Sequence, residues 1–479
     1  MWLSTLIISL CFLAVIVLLV LEKGNRVILA ISGALICYLS LVFIEKETDF
    51  TLFVGFLFGS KEDGFVNIHS LLLIFGMSFI IQIVNKAGVF KFLAFKLVLL
   101  VADKPKYLLF IMCSITMILS AILNNILTVM IIIPLTITIS RILNIDPEPF
   151  IISQAILVNI GGTLFSISSI PNILIATTAG ISFNEFFLNV GIISIAVFFF
   201  IVGLFYLIYE KKIIIPAENI KILKEFNPWN FVADKKLLFK SSIVLIIVII
   251  SFMAIPSTVL APDIISLIGA MVLAVISKLD QEKLLQSIDI EIIMYLLGVF
   301  VIAGSLEYTG ILNYVGTFIG AIGQGNSFFT IILILWTSAI LSSTIDNIPI
   351  TKVLIPVVGQ IGAQNSLIIQ NKMYYALSFG ANWGDNLTPM GDNILVMNLA
   401  AKNKRPLRMK EFWKIGFITT IFQLYLLTSY YVLFMNIFIS ILMFILLTVF
   451  IFLAYLRVYN PKLFLKINIF KKKQKNEVK

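Results

Sequence analysis

Three acids and a set of asparagines sit where this chain is otherwise apolar. Asp385 and Asp392 fall within "GANWGDNLTPMGDN" (380–393), and Asp346 within "SSTIDNI" (342–348). A carboxylate at the centre of a spanning helix costs about 2.5–3.5 kcal/mol on insertion scales, so each of these acids needs a task. Asn382, Asn386, Thr388 and Asn393 add side-chain oxygens to the same stretch. Gly384 and Gly391 permit backbone forms closed to other residues, and Pro389 removes a donor. A matching set lies earlier in the chain: Asn124, Asn125 and Thr128 in "NNILT", then Asn159, Gly161, Gly162, Thr163 and Asn172 in "NIGGTLFSISSIPNIL" (159–174).

This is the chemistry of ion binding. An unwound segment in a membrane exposes carbonyls and helix ends. Carbonyls and C-terminal ends suit cations, and N-terminal ends suit anions. A carboxylate in a low-dielectric cavity is harder to ionise, a like charge makes it harder still, and a bound cation reverses both effects. That is a physical basis for exchanging a proton for a cation, with a sodium ion near Asn125 and Asn347 as one form of it. A lone Asn is as readily explained as interhelical glue, and a lone Pro or Gly as a kink. The same constellation twice favours a binding site. Lys352 follows Asp346 by six residues. Pairing with an acid, contact with an anionic substrate and snorkelling to the surface remain equal readings of it. His69 opens a span near one surface and reads as an interfacial residue.

Such residues need elements to hold them, and composition says which. The chain has 479 residues, 60% hydrophobic and 13% charged, where soluble domains carry about 25% charged residues. It reads as an all-α polytopic membrane protein. Its net charge of +10 lies mostly in short loops and the tail, the pattern of cytoplasmic membrane loops and not of a nucleic-acid partner. Cys11, Cys37 and Cys113 stand singly in apolar runs and give neither a disulfide framework nor a thiolate metal site. Leu3 to Leu21 has no basic residue before it and no small-residue cleavage site after it, so it reads as a retained span.

Apolar runs of spanning length predict about eleven transmembrane helices, at 3–21, 26–45, 67–85, 149–179, 185–209, 239–256, 262–278, 289–306, 374–400, 412–434 and 436–457. The long segments 107–141 and 328–361 have polar middles and read as two re-entrant hairpins, tolerable only inside protein or against a wet cavity. The short segments 87–102 and 308–323 read as interfacial or partly inserted. With the N-terminus outside, every Lys and Arg falls on the cytoplasmic side except Lys46, Lys61, Lys372 and the hairpin residue Lys352. The expected location is a plasma or inner membrane, with the C-terminus cytoplasmic.

The chain also repeats itself. "GMSFIIQIVNKAG" (76–88) resembles "GVFVIAGSLEYTG" (298–310). At the same spacing "SAILNNI" (120–126) meets "SSTIDNI", and Pro134 meets Pro356. With a gap of two residues, 159–174 meets 382–395. Five crossings per half predict that the second copy is inverted. The expected organisation is a first inverted repeat over 1–209, a cytoplasmic linker over 210–238, a second repeat over 239–435, and an extra helix with a basic tail over 436–479. Inverted repeats with broken helices are characteristic of secondary transporters, with the site at the repeat interface.

The "NNILTVMIIIP" and "DNIPITKVLIP" hairpins, each followed by a Gly/Asn break ending in "PNIL" or "DNIL", resemble the ion transporter superfamily. That group includes arsenite permeases, NhaD-type sodium/proton antiporters, the pigment P protein, and citrate and dicarboxylate carriers. The resemblance covers about residues 26–435. In its dicarboxylate branch, Ser-Asn-Thr triplets at the hairpin tips bind sodium and the substrate carboxylates. Here the tips are Asn124-Asn125-Ile126 and Asp346-Asn347-Ile348. The "DNIP" form is closer to the antiporter and P-protein branch.

Function follows from these features. The first expectation is a secondary transporter of a small ion, coupled to a proton or sodium gradient and antiporter-like. The alternative is a carboxylate or other anion carrier of citrate, dicarboxylate or arsenite type, and a passive channel ranks below both. One His and no H-E-x-x-H or G-x-x-x-x-G-K-[ST] stretch argue against an enzyme and against an ATP drive within the chain. No cofactor is expected beyond the coupling ion. The lipid bilayer and the small ion are the expected partners. A homodimer and a separate ATPase are compatible with the resemblance.

Overall fold

The computed structural model describes residues 2–459, apart from 22, 62–63, 102–103, 105–106, 210–211, 214–216, 233, 281, 283, 285, 287, 324 and 390–391. The basic tail, part of the linker and the side chain of Asp392 lie outside the described residues.

The described residues form helices and no strands. The first half contains α1 (Trp2–Val20), α2 (Arg26–Ile44), α3 (Phe50–Phe58), α4 (Val66–Lys86), α5 (Val89–Leu100), α6 (Leu108–Ile122), α7 (Asn125–Leu143), α8 (Glu148–Gly161), α9 (Ile170–Ala179) and α10 (Phe183–Tyr209). The linker carries α11 (Ala217–Glu225). Then come α12 (Lys235–Ala254), α13 (Pro262–Ser277), α14 (Ile290–Tyr308), α15 (Ile311–Ile322), α16 (Ser327–Ser342), α17 (Asn347–Gly362), α18 (Leu367–Gly384), α19 (Asp392–Lys402), α20 (Met409–Val432) and α21 (Ile437–Tyr459). The chain is a multi-pass membrane protein.

Among the described residues, eight of these helices are long and apolar enough to cross a bilayer, against the eleven crossings expected. The difference lies where sequence runs were continuous but helices are not. The runs 149–179 and 374–400 are each split in two, α13 has 16 residues, or about 24 Å at 1.5 Å per residue, and the unbroken part of α21 whose side chains are described, Ile437–Leu453, also falls short of spanning length. Conversely, α7 satisfies length and hydropathy although it is the second arm of a hairpin. The Phe-rich α3 was not anticipated. Asp49 caps it by accepting from the Thr51 amide at 2.8 Å, and Phe56 packs against Gly304 and Tyr308 of α14.

Helix contacts come in pairs. α2 packs on α14 and α13 packs on α4; α1 packs on α2 and α12 on α13; α6 packs on α8 and α16 on α18; α7 packs on α19 and α17 on α9. Two glycines permit close approach at matching crossings. A Cβ at Gly76 of α4 would meet the backbone of Ser266 in α13, and one at Gly298 of α14 would meet the backbone of Ala30 in α2. Gly76 and Gly298 hold matching places in the repeated sequence. Ser266 and Ala30 each lie four residues after the start of their helices.

Candidate functional site

The hairpin tips are short because each is made by a helix cap. α6 stops at Ile122, and Asn124 caps α7 by accepting from the Leu127 amide at 2.8 Å. α16 stops at Ser342, and Asp346 caps α17 by accepting from the Ile348 amide at 3.1 Å. Thr128 turns its hydroxyl back to the Asn124 carbonyl (3.0 Å), as Thr351 does to that of Asn347 (2.6 Å).

Both breaks are held open by the same bonds. In the first, Asn172 donates to the carbonyls of Gly162 (2.7 Å) and Phe165 (3.3 Å). In the second, Asn393 donates to those of Asp385 (2.9 Å) and Thr388 (3.5 Å). Ser120 of the first hairpin donates to the Val158 carbonyl, and Ser342 of the second to that of Ala381, both at 2.5 Å. Thr388 also bonds the Ser343 carbonyl. Gly161 and Gly384 are required where hairpin meets break. A Cβ at Gly161 would strike the Met117 carbonyl, and one at Gly384 the backbone of Ala339.

The two breaks meet across a buried polar chain. Asn125 Nδ2 donates to Asn159 Oδ1 (2.9 Å). Asn159 Nδ2 donates to Asn386 Oδ1 (2.8 Å) and reaches Asp385 Oδ2 (3.3 Å). Asn386 in turn donates to the Ile156 carbonyl (3.1 Å). A second link joins Asn172 Oδ1 to Ser378 Oγ (2.7 Å) and Asn382 Nδ2 (2.9 Å). The Thr163 hydroxyl accepts from the Trp383 indole (3.1 Å) and meets Ser194 (2.8 Å). Asp385, Asn159, Asn382 and Asn386 are all buried. Asn382 Oδ1 is buried with no hydrogen-bond partner. Its equivalent, Asn159 Oδ1, accepts from Asn125.

The two tips line one cavity of about 40 Å³. Its walls are Arg26 and Ile292, Asn124 to Ile126, Ser169 to Pro171, and Asp346 to Ile348. The first turns of five helices, α2, α7, α9, α14 and α17, therefore converge there. Tyr295 holds Asp346 through its hydroxyl (3.4 Å), and Arg26 lies 5.9 Å from the Tyr295 ring.

Of the residues expected at the site, Asn124, Asn125, Asp346 and Asn347 line this cavity. Asn159, Gly162, Asn172, Asn382, Asp385, Asn386 and Asn393 form the shell behind it. Thr128, Gly161, Thr163 and Thr388 shape its backbone. Lys352 lies elsewhere. Its ammonium bonds Asn67 Oδ1 at 2.6 Å and sits 4.8 Å from the centre of the Phe300 ring, while Asn67 donates to the Phe56 carbonyl. Arg26, Tyr295, Ser169 and Ser378 were not anticipated. Arg26 reads in sequence as the ordinary positive charge before a span. His69 is more than interfacial, for it pairs with Asp263 at 2.9 Å.

Comparison with known proteins agrees with this architecture. The family described as citrate transporter (CitMHS) matches residues 16–380. A 46 kDa membrane protein of Mycobacterium leprae is 28% identical over 424 residues, covering 88% of this chain and 96% of that one. An uncharacterized transporter of Synechocystis is 26% identical over 429 residues, covering 85% and 92%. The P protein of Mus musculus is 25% identical over 483 residues, covering 84% of this chain and 56% of the P protein. The crystal structure of the Alcanivorax borkumensis YdaH transporter shares the fold, with a TM-score of 0.50 at 12% identity, over 82% of this chain and 87% of that one. Repeated hairpins and breaks, enclosed by a polytopic helical fold and matched by the family over most of its length, make this chain a membrane transporter that belongs to the citrate transporter family.

Proposed function

We propose that the chain is a secondary carrier that moves a small anion of the carboxylate class across a plasma or inner membrane, coupled to a sodium or proton gradient. One observation carries this reading: five helix N-termini and the Arg26 guanidinium converge on the cavity between the hairpin tips. Aligned backbone dipoles favour negative charge at such a place. Asn125, Asn347 and Ser169 add neutral polar groups. A cavity of about 40 Å³ holds a small ion or little more than one water, so a citrate-sized anion requires the tips to separate. The matched packing and bonding of the halves supports two inverted repeats working around one site. The basic loops support an outside N-terminus and a cytoplasmic C-terminus.

Asp346 and Asp385 favour a second reading. Asp346 lines the same cavity, and Asp385 lies behind it on Asn159. An acid at the cavity and an unpartnered Asn382 carbonyl oxygen suit a coupling cation or proton, and alone they describe cation–proton exchange. From the sequence, that exchange ranked first; the convergence of N-termini is what supports the anion reading over it. Purified protein in sealed proteoliposomes separates the two. Citrate, dicarboxylates, arsenite and alkali cations are offered under imposed pH and sodium gradients. Gradient-driven anion uptake is expected. Cation-dependent proton movement with no anion flux would replace the carboxylate reading with the antiporter one.

A further inference from the structure

A second cavity, of about 200 Å³, lies between α4, α9 and α13 and takes no part in the site above. His69, Asp263, Thr177 and Ser182 stand in its wall, with Ser166 and Ile167 of the first break. Ser169, Ile170 and Pro171 of the same segment line the tip cavity. The first break thus lies between the two spaces, with residues on each.

The second cavity also holds the matching place in the other half. The tip cavity takes its wall from the first turns of α2 and α14, through Arg26 and Ile292. The second takes its wall from those of α13 and α4, through Asp263 and His69. Those are the helices that exchange places in the paired packing, α2 with α13 and α14 with α4. The His69 side chain is 43% exposed and that of Asp263 2%, so the contact has one member in water and one in protein. It ties the two halves together. The next residue along the chain, Ser70, meets Thr177 of α9 at 2.6 Å.

We propose that this cavity is the outer mouth of the transport path and that the His69–Asp263 contact is its proton-sensitive closure. The assignment rests on the reading of the chain as a carrier with that sidedness. Protonated His69 is a cation held by the Asp263 carboxylate; neutral His69 keeps at most a hydrogen bond, so the mouth opens more readily as pH rises. Few other charges face the pair. α3 and α9 carry no ionisable residue. Lys91 and Lys96 of α5, Lys235, Lys236 and Lys240 of α12, and Glu291 of α14 lie at the far ends of the bundle. Glu307 ends α14 on the near side, Lys61 precedes α4, and Lys352 reaches α4 through Asn67.

The test is access to position 166. Ser166→Cys is placed in a background with Cys11, Cys37 and Cys113 replaced, and sealed vesicles of known orientation are labelled with a membrane-impermeant thiol reagent between about pH 5 and 8. Labelling from outside is expected, at a rate that rises with pH more steeply than that of an exposed control cysteine at position 46, whose rise reports thiolate formation alone. With His69→Gln, which keeps a hydrogen-bonding side chain but cannot be protonated, labelling relative to that control should be fast and independent of pH. Reaction only from the cytoplasmic side overturns the outer mouth, and an unchanged pH profile in His69→Gln overturns the closure. Either result, obtained while gradient-driven flux persists, leaves the carrier reading standing and removes only this one.

Discussion

Asn172 and Asn393 perform the same task in the two halves. Each donates across its own break to two carbonyls three residues apart, Gly162 and Phe165 in one case and Asp385 and Thr388 in the other. An unwound stretch inside a membrane protein must satisfy its carbonyls from within, and one side-chain amide per break supplies two donors. The carboxamide oxygen of Asn172 also accepts from Ser378 and Asn382.

Replacing either by Ala should therefore destabilise the protein without preventing insertion. A buried polar group left unpaired costs about 1–3 kcal/mol. Asn172→Ala strands groups on both sides and should cost more than Asn393→Ala. Thermal unfolding of the purified variants in detergent measures the order. Equal melting temperatures for wild type and both variants would show that water already satisfies these carbonyls.

Much of this was legible in sequence, for physical reasons. Spans, hairpins and breaks follow from hydropathy interrupted by Gly, Pro and Asn, and the repeat placed Asn125 opposite Asn347. Arg26 was not legible, because a basic residue before a span is what the positive-inside pattern predicts everywhere; only packing brings it to Tyr295 and Asp346. Lys352 is the converse case. A lysine six residues from Asp346 looks close along the chain, but on a helix it rises about 9 Å away, toward Asn67. α3 was hidden because its nine residues make an apolar run too short for a span.

The glycine crossings predict a graded response. A side chain at Gly76 or Gly298 must push apart two backbones in contact, and overpacking of this kind costs about 1–3 kcal/mol. Gly76→Val and Gly298→Val should lower thermal stability by similar amounts, because the crossings match. Gly320→Ala has open space around its Cβ and should leave stability unchanged or slightly raised.

Sidedness is tested directly. Single cysteines introduced in the linker, at positions 221 and 235, should react with an impermeant reagent only from the cytoplasmic face. One introduced at Lys46 should react only from outside. Labelling of the linker from outside would overturn the proposed inversion of the second half.

The hairpin tips should be unequal. Asn125 is bonded to Asn159 behind the cavity, whereas Asn347 lines the cavity and its equivalent partner, Asn382 Oδ1, stands unpartnered. Asn125→Ala should lower both stability and flux. Asn347→Ala should lower flux by about tenfold or more, the factor that accompanies about 1.4 kcal/mol, with little change in stability. Flux in proteoliposomes and melting in detergent separate the two effects. Normal flux in both variants would make the tips structural.

Asp385 is the most exacting test of coupling. It is buried, it reaches Asn159 at 3.3 Å, and Asn159 leads to Asn125 at the cavity. Its backbone carbonyl is already fixed by Asn393, so the side chain can change charge while the break keeps its shape. Asp385→Asn preserves size and hydrogen bonding but removes the titration. If this carboxylate carries the coupling proton, the variant should fold and still exchange substrate between the two sides. It should fail to concentrate substrate against a gradient, and its flux should no longer vary with pH. Asp392→Asn, made in parallel, tests the other acid of the same stretch. Asn159→Ala should weaken flux by disconnecting Asp385 from the tip while leaving some dependence on pH, because the acid itself remains. If Asp385→Asn accumulates substrate with the wild-type rate and pH profile, coupling lies elsewhere. Asp346, beside Arg26 and Tyr295 in the cavity itself, then becomes the residue to change next.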